Sequence, residues 1–467
     1  MTCNTRLEFK IDRDLTDEES AAFGIVKILQ DKGFETYIAG GAVRDLILGH
    51  ISHDIDIATA AKPDEIKKIF LEAYDRGKSF GVMAIKIVEH EFEVATFRED
   101  VGVSDHRHPE EVKFSSAELD SQRRDFTING LFYDPQKLEI IDFVDGLRDI
   151  KRKLVRFIGS PIDRINEDYL RMLRAVRFAT RLNFKIEKES SETILSHARN
   201  INDISVERVR DEISKILLLE NRVQGLELLD DSGILAEILP ELQNLKNVPQ
   251  PKEFHAEGDC FTHTMLALQN IGQTNSEELV WTVLLHDIAK PETIGFRAEK
   301  NKTSITFFDH DKKSAEKAEE ILHRMHFSHE FTANVCWAIS QHMRIVHAFT
   351  GMSERKQQKL FMDTNILLLL DLTKADLSAS LRSNSKPDMK LYEDALVLRA
   401  KYEAELSDEE KNQVKKFDLV TGADIMEILN LDAGIKIGKI KTDLEQAYLE
   451  GKINTREEAI VLMEKYR

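Results

Sequence analysis

The sequence predicts an α+β protein in which a small α/β head precedes an all-helical remainder. Between residues 17 and 115 strand and helix patterns alternate at short spacing: TYIAG, HDIDIAT, GVMAIKIV and FEVATF read as strands and PDEIKKIFLEAY as a helix. From residue 160 onward the apolar period is 3.6, as in EDYLRMLRAVRFATRL and VERVRDEISKILLL, and strand alternation disappears. At 467 residues the chain exceeds what one core organises, so two to four domains are expected. The patterns divide it into a head at 17–158, a helical neck at 159–250, a second helical domain at 251–385 and a helical tail at 386–467. The polar, Pro- and Gly-containing stretches NLKNVPQPKEFHAEGD (244–259) and SNSKPD (383–388) read as connectors.

Composition narrows the class. Hydrophobic residues at 42%, charged residues at 32% and only nine prolines describe a globular, helix-rich chain rather than a disordered one. Cys3, Cys260 and Cys336 show no paired spacing, and the N-terminus lacks the apolar segment of a secretory signal. No stretch approaches a membrane span, so a soluble protein of the reducing cytoplasm is expected. The net charge of −18 argues against a nucleic-acid partner, but residues 148–181 hold ten Lys or Arg against four Asp or Glu. That local strip suits either a phosphate backbone or a solvated helix face.

The run IAGGAVRDLILGHISHDIDIAT at 38–59 carries the most chemistry. A strand ends at Gly40 and Gly41, where absent side chains admit a ligand, and the following helix points its first amides at an anion such as a triphosphate. Arg44 lies one turn in, ready to complement phosphate charge, and Asp45 braces the turn. Strand alternation puts Asp54 and Asp56 on one face and Ile55 and Ile57 in the core. Two carboxylates in one small volume are costly unless divalent cations neutralise them, and Mg²⁺ takes a few carboxylates plus phosphate oxygens. Glu93, in FEVATF, is a candidate third acid. Taken alone, D-x-D is also compatible with a polar strand edge.

In order, the glycine pair, V-R-D, L-I-L-G and D-I-D resemble the first motif of class II tRNA nucleotidyltransferases. RRDFTINGLFYD (123–134) resembles the second, which places Arg124, Asp125 and Asn129 where that family contacts nucleotide sugar and phosphate. DPQKLEIIDFVDGLRDI (134–150) resembles the connecting motif, with Phe143 where proline is frequent. EDYLRMLRAVRF (167–178) resembles the nucleotide-templating motif and ERVRDEISKILL (207–218) the neck helix. The resemblance covers about residues 35–240 and implies Mg²⁺-dependent, RNA-template-free addition of CCA to the 3′ end of tRNA from CTP and ATP. Addition of A alone, or polyadenylation, is the alternative within the family. The polar loop FREDVGVSDHRHPEEVKF (97–114) disfavours an enzyme that adds only the two cytidines.

The templating motif makes chemical sense by itself. On one helix, Asp168, Arg171 and Arg174 would emerge along nearly one face, with Arg177 continuing the row toward phosphate or ribose. A carboxylate beside a guanidinium matches the amine and ring nitrogen that cytosine and adenine present, and mismatches uracil and guanine.

The helical part adds a second series, His263, His286, Asp287, His310, His342 and Asp376, in FTHTMLAL, LLHDIAKPET, FFDHDKKSAEKAEEIL, QHM and KADLSAS. Their order and the A-K-P after the His-Asp pair resemble the HD phosphohydrolase superfamily. Imidazoles with carboxylates suit Mn²⁺, Co²⁺ or Ni²⁺, or a binuclear centre that activates water. This yields a reading from another class, a metal-dependent phosphohydrolase with an RNA-binding head; inherited scaffold is the bland alternative. The tail, LVTGADIMEILNLDAGIKIGKIKTDLEQAYLEGKINTREEAIVLMEKYR, resembles tails that contact the tRNA body.

Overall fold

A computed structural model describes residues 5–52, 54–77, 81–103, 109–299, 302–382, 384–405, 419–429, 431, 434–449, 453 and 455–466. The middle of the 97–114 loop, residues 104–108, therefore lies outside the described residues.

The head is built on an eight-stranded sheet. In chain order its elements are β1 (Thr5–Glu8), α1 (Asp17–Asp31), β2 (Thr36–Ala39), α2 (Gly41–Ile47), β3 (Asp56–Thr59), α3 (Pro63–Ile69), β4 (Tyr74–Gly77), β5 (Val82–Ile87), β6 (His90–Thr96), β7 (Arg98–Val103), β8 (Pro109–Phe114), α4 (Ala117–Gln122), β9 (Leu131–Asp134), β10 (Glu139–Asp142) and α5 (Gly146–Arg152). The strand order is β1-β10-β9-β2-β3-β6-β5-β4, with β7 and β8 forming a separate hairpin. Only β3 and β6 pair in parallel within the large sheet; β2 and β3 pair antiparallel with Ala39 opposite Asp56. That register sets the glycine turn after β2 directly beside Asp56, the first residue of β3.

Local chemistry explains the elements. A capping box between Thr16 and Glu19 starts α1, and its Ala22, Ile25, Val26 and Leu29 are buried against the sheet. Pro63 supplies the fixed φ that opens α3. The helix expected over PDEIKKIFLEAY stops at Ile69, because Tyr74 is recruited into β4 opposite Ala84. Pairing with a neighbouring strand outweighs local helix propensity there.

Among the described residues the rest is mainly helical, as predicted, and two short strand pairs interrupt it. Leu154–Val155 pairs with Lys185–Ile186, and Ile294–Glu299 forms a hairpin with Lys302–Phe307. The hairpin follows from alternation missed in IGFRAEKNKTSITFF: Ile294 faces Phe307 and Phe296 faces Ile305. The templating motif is also not one helix. α6 (Pro161–Glu167) ends before Asp168, which is extended at φ −154° and ψ 107°, and α7 (Leu170–Leu182) begins after Tyr169. Asp168 Oδ1 accepts a hydrogen bond from the Leu170 amide at 3.0 Å, the usual competition of an Asp side chain with continued helix. After α8 (Lys188–His197), α9 (Val206–Leu217) packs across α7.

One continuous core joins the head sheet, α7, α9 and the helices Cys260–Asn270, Glu277–Leu285, His310–Arg324 and His329–Ala348. The tail helices Gly422–Leu429, Ile435–Leu449 and Arg456–Met463 close over a small core of their own around Ile425, Leu444 and Met463.

Candidate functional site

A cleft of about 680 Å³ opens between the head sheet and α7. Its wall brings together Gly40, Gly41, Arg44, Asp54, Asp56, Arg124, Asp125, Asn129, Asp168, Arg171, Arg174 and Arg177, and so unites the predicted metal-binding and base-reading residues in one space. Asp56 opens β3, Asp54 lies two residues before it and is exposed, and Ile55 and Ile57 are buried, so the predicted alternation places both acids toward the cleft. Burial first, and the Asp54 charge second, push the Asp56 carboxyl up to about 6; Arg124 opposes the rise and Glu93 adds to it. Such a pair is the condition a divalent cation relieves.

Glu93 stands on β6, beside β3, and its charge reaches Asp56. Its half-exposed carboxylate is engaged by Arg76 at 3.3 Å, and it is not part of the cleft wall. Gly40 has a firm steric reason. Its φ is +71°, and a Cβ there would lie 2.8 Å from Arg124 Nη1 and 3.7 Å from Asp56 Oδ2. Gly41 has ordinary room, with Arg44 Nη2 at 3.5 Å from its would-be Cβ.

The Arg44 guanidinium is buried, donates to Asp45 Oδ1 at 2.8 and 2.9 Å and to Asn129 Oδ1 at 2.6 Å, and lies 5.1 Å from the Phe178 ring centre. Three of its five N–H donors are used by these partners, so it braces the site while still lining the cleft. Asp45 in turn accepts from Arg181 at 3.0 Å and ties α2 to α7. Asp125 accepts two bonds from Arg174, at 2.6 and 2.9 Å, and one from Asn129 at 3.0 Å. Burial works against its charge, but Arg174 and Asn129 outweigh that and hold its carboxyl below the ordinary value. Arg124 donates to Asp120 at 3.1 Å and lies 5.3 Å from the centre of the Phe132 ring.

The base-reading pair sits where α6 gives way to α7, not on one helix face. Asp168 Oδ2 accepts from Arg208 of α9 at 2.8 Å. Arg171 donates to Glu167 at 2.5 Å and to the carbonyl of Arg164 at 3.0 Å. Arg177 donates to Glu212 at 2.6 Å. Arg171, Arg174, Arg177 and Arg181 of the basic strip are thus each paired with a carboxylate. Arg208, which also lines the cleft, was passed over in the sequence because its partner is forty residues away.

The second series converges as well. His263, His286 and Asp376 form one trio and Asp287, His310 and His342 another, and in each trio the ligand atoms lie within 4.8 Å of one another. His263 Nε2 is 3.1 Å from Asp376 Oδ1, His286 Nε2 is 3.1 Å from Asp287 Oδ2, and the Nε2 atoms of His310 and His342 are 3.1 Å apart. His263 and His286 Nε2 and both Asp287 oxygens are buried and not aligned in any hydrogen bond. Buried imidazole nitrogens converging on carboxylates, one of which also faces the Lys290 ammonium, are a donor set that suits a metal. Burial, with His310 and His286 beside it, pushes His342 down to about 4. His263 is carried up to about 9, since the facing Asp376 and Glu257 carboxylates overcome its burial. Glu257, His255 and Lys290 join this cluster and were not singled out from sequence. Glu257 and His255 lie in the stretch read as a connector, and Lys290 pairs with Asp287 at 2.6 Å.

Comparison with known proteins finds three families along the chain: the poly A polymerase head domain over residues 36–156, the probable RNA and SrmB-binding site of polymerase A over 183–246, and the HD domain over 260–380. The CCA-adding enzyme of Ligilactobacillus salivarius is 39% identical over 259 residues, 54% of this chain and 64% of that protein. The CCA-adding enzyme of Enterococcus faecalis is 42% identical over 213 residues, 45% of this chain and 52% of that protein. These matches span between half and two thirds of the relatives' length. Among solved structures, the Bacillus stearothermophilus CCA-adding enzyme in complex with CTP superposes with a TM-score of 0.63 at 23% identity, covering 97% of this chain and 98% of that one. The Thermotoga maritima CCA-adding enzyme complexed with tRNA gives 0.55 at 18% identity, covering 98% and 97%. At those identities the likeness is one of fold.

Proposed function

We propose, from the premise that this chain belongs to the poly A polymerase head-domain family, that it adds CCA to the 3′ end of tRNA from CTP and ATP without a nucleic-acid template. The single observation that carries this is the sharing of one cleft by the Asp54 and Asp56 pair and by Asp168 and Arg171. Asp54 and Asp56 hold Mg²⁺, with Glu93 close enough to add negative potential; the raised carboxyl of Asp56 fits such an ion. When bound, the metal pair supplies Lewis-acid activation of the 3′ hydroxyl and charge neutralisation on the triphosphate. Gly40 keeps the floor of the cleft open, while Arg124, Asp125 and Asn129 position sugar and phosphate. Arg44 supports Asn129, and Arg174 and Arg177 border the base-reading pair.

Asp168 accepts from the exocyclic amine of C or A, and Arg171 donates to the ring nitrogen. Uracil and guanine would set an acceptor against the Asp168 carboxylate and a donor against the Arg171 guanidinium, so neither edge is matched. Because both incoming nucleotides use one reader, both reactions share one metal pair. The four-part division of the chain made from the sequence gives head, neck, HD-type domain and tail their roles in this scheme, with neck and tail meeting the tRNA body in the cytoplasm. The test is incubation of tRNA lacking CCA, lacking CA and lacking only A with each labelled nucleotide in turn. Incorporation of C, C and then A supports the reading; A alone on every substrate would assign the A-adding or polyadenylating alternative.

A second activity is favoured by the unsatisfied buried atoms of the other cluster. His263, His286, Asp287, His310, His342 and Asp376 would hold a transition metal, Mn²⁺, Co²⁺ or Ni²⁺, which when bound would supply water activation for phosphoester hydrolysis. Release of phosphate from nucleotide or RNA-end substrates, dependent on one of those metals, tests it.

A further inference from the structure

Four histidines present Nε2 to the second cluster, and each has its Nδ1 engaged behind it. His286 pairs with the Val283 carbonyl at 2.8 Å, His310 with that of Phe307 at 3.0 Å and His342 with that of Ile339 at 2.6 Å. His263 differs, because its Nδ1 meets a carboxylate, Glu257 Oε1, at 2.9 Å. The same Oε1 accepts from His255 Nδ1 at 2.7 Å, and Oε2 accepts the Leu381 amide at 2.9 Å. Leu381 follows the helix that carries Asp376, and its carbonyl accepts the Ala256 amide at 2.8 Å. Glu257 therefore clamps one ligand's ring and ties it to the strand of chain just beyond another ligand.

We infer that Glu257 is a positioning residue of the second cluster, holding His263 with Nδ1 protonated and its Nε2 lone pair aimed at a divalent transition metal. The inference rests on the reading of that cluster as a metal centre. Two observations favour it over His255, Glu257 and His263 forming a metal site of their own. The 2.7 and 2.9 Å separations are those of hydrogen bonds to one oxygen, and the second oxygen is occupied by a backbone amide. A carboxylate behind a ligating imidazole fixes its tautomer and makes it the better donor, and losing such a partner weakens metal binding roughly 10- to 100-fold.

The experiment is equilibrium dialysis of the full-length protein against Mn²⁺ and Ni²⁺, comparing wild type, Glu257→Ala, Glu257→Gln and His255→Ala. Nucleotide incorporation at the distant cleft and circular dichroism report folding. Glu257→Ala is expected to bind at least about 10-fold more weakly, Glu257→Gln within about fivefold of wild type because its amide oxygen still accepts from Nδ1, and His255→Ala within about twofold. Loss in His255→Ala equal to that in Glu257→Ala, or unchanged binding by Glu257→Ala, overturns the inference. As a second measurement, the protein loaded with diamagnetic Zn²⁺ should show a strongly hydrogen-bonded Nδ1 proton for His263 by NMR. That signal should move upfield in Glu257→Gln, and its absence from the wild type overturns the inference even if Glu257→Ala fails to fold. If wild type binds no metal, the metal-centre reading itself fails, an outcome distinct from the other two.

Discussion

Replacing Asp56 with Asn should stabilise the metal-free protein while abolishing nucleotide addition. The reason is electrostatic. Burial and the Asp54 charge raise the Asp56 carboxyl from 3.8 to about 6, so near neutral pH the folded head holds an ionised group that it would rather protonate. A difference of that size corresponds to about 3 kcal/mol, or about 2–3 kcal/mol once water in the open cleft is allowed for. The folded state binds more protons than the unfolded state between the two values. This penalty is therefore absent below 3.8, grows as pH rises from 3.8 to 6, and is complete above 6. Asn carries no charge to lose. Calorimetry in EDTA at about pH 7.5 should place the head transition of Asp56→Asn about 5–10 °C above wild type, with the gap closing toward pH 4. Mg²⁺ should raise the wild-type transition and leave the variant unmoved. Equal stability of the two proteins in EDTA at neutral pH, or a gap independent of pH, would refute the reasoning.

The remaining expectations concern the cleft and its independence. Asp54→Ala should remove incorporation of both CTP and ATP, measured on the shortened tRNAs; loss of only one nucleotide would contradict a shared metal pair. Asp168→Ala should cut discrimination against UTP and GTP at least about 10-fold in kcat/KM ratios, and unchanged ratios in a folded variant would place the reader elsewhere. Gly40→Ala forces a side chain into a backbone at φ +71° and to within 2.8 Å of Arg124, so it should cost about 1–2 kcal/mol of head stability and lower incorporation about 10-fold or more; a variant at wild-type levels would show the turn is slack. His286→Ala with Asp287→Ala should leave CCA addition within about twofold while removing hydrolysis supported by Mn²⁺, Co²⁺ or Ni²⁺, because the two clusters use separate ligands. A parallel loss of both activities would show that the sites are coupled.

What the sequence made legible was what short-range periodicity encodes. Alternation around Asp54 and Asp56 identified the facing of both acids, although the strand itself opens only at Asp56, and the glycine pair before V-R-D marked the turn that Gly40 makes at positive φ. The His and Asp series was recoverable because its members sit in, or directly follow, helices whose apolar residues frame them. Other features depended on partners far along the chain. The bracing of Arg44 by Asn129, eighty-five residues away, has no local signal in the sequence. Asp168 reads as helical until its side chain is seen to take the Leu170 amide and break α6 from α7. Glu257 sits in a Pro- and Gly-rich stretch whose composition signals a connector, and nothing local marks one carboxylate there as the backing of a buried imidazole.

The acidic chain and its basic strip are reconciled by the same network. Arg174, Arg177 and Arg181 are paired with Asp125, Glu212 and Asp45, so the arginines are fixed in direction before any ligand arrives. Free arginines would bind phosphate strongly but read a base poorly, since a mobile guanidinium follows whatever acceptor is offered. Arginines held by acids from α2, α9 and the second motif forfeit part of their attraction for the RNA backbone and gain fixed geometry. Discrimination by unpaired groups needs that rigidity, because the rejected base is penalised only if Asp168 and Arg171 cannot turn to meet it. Arg208 on Asp168 Oδ2 and Glu167 on Arg171 supply it. Arg208→Met should accordingly loosen selection against UTP more than it lowers the rate with CTP. Equal falls with both nucleotides would show that Arg208 merely adds charge.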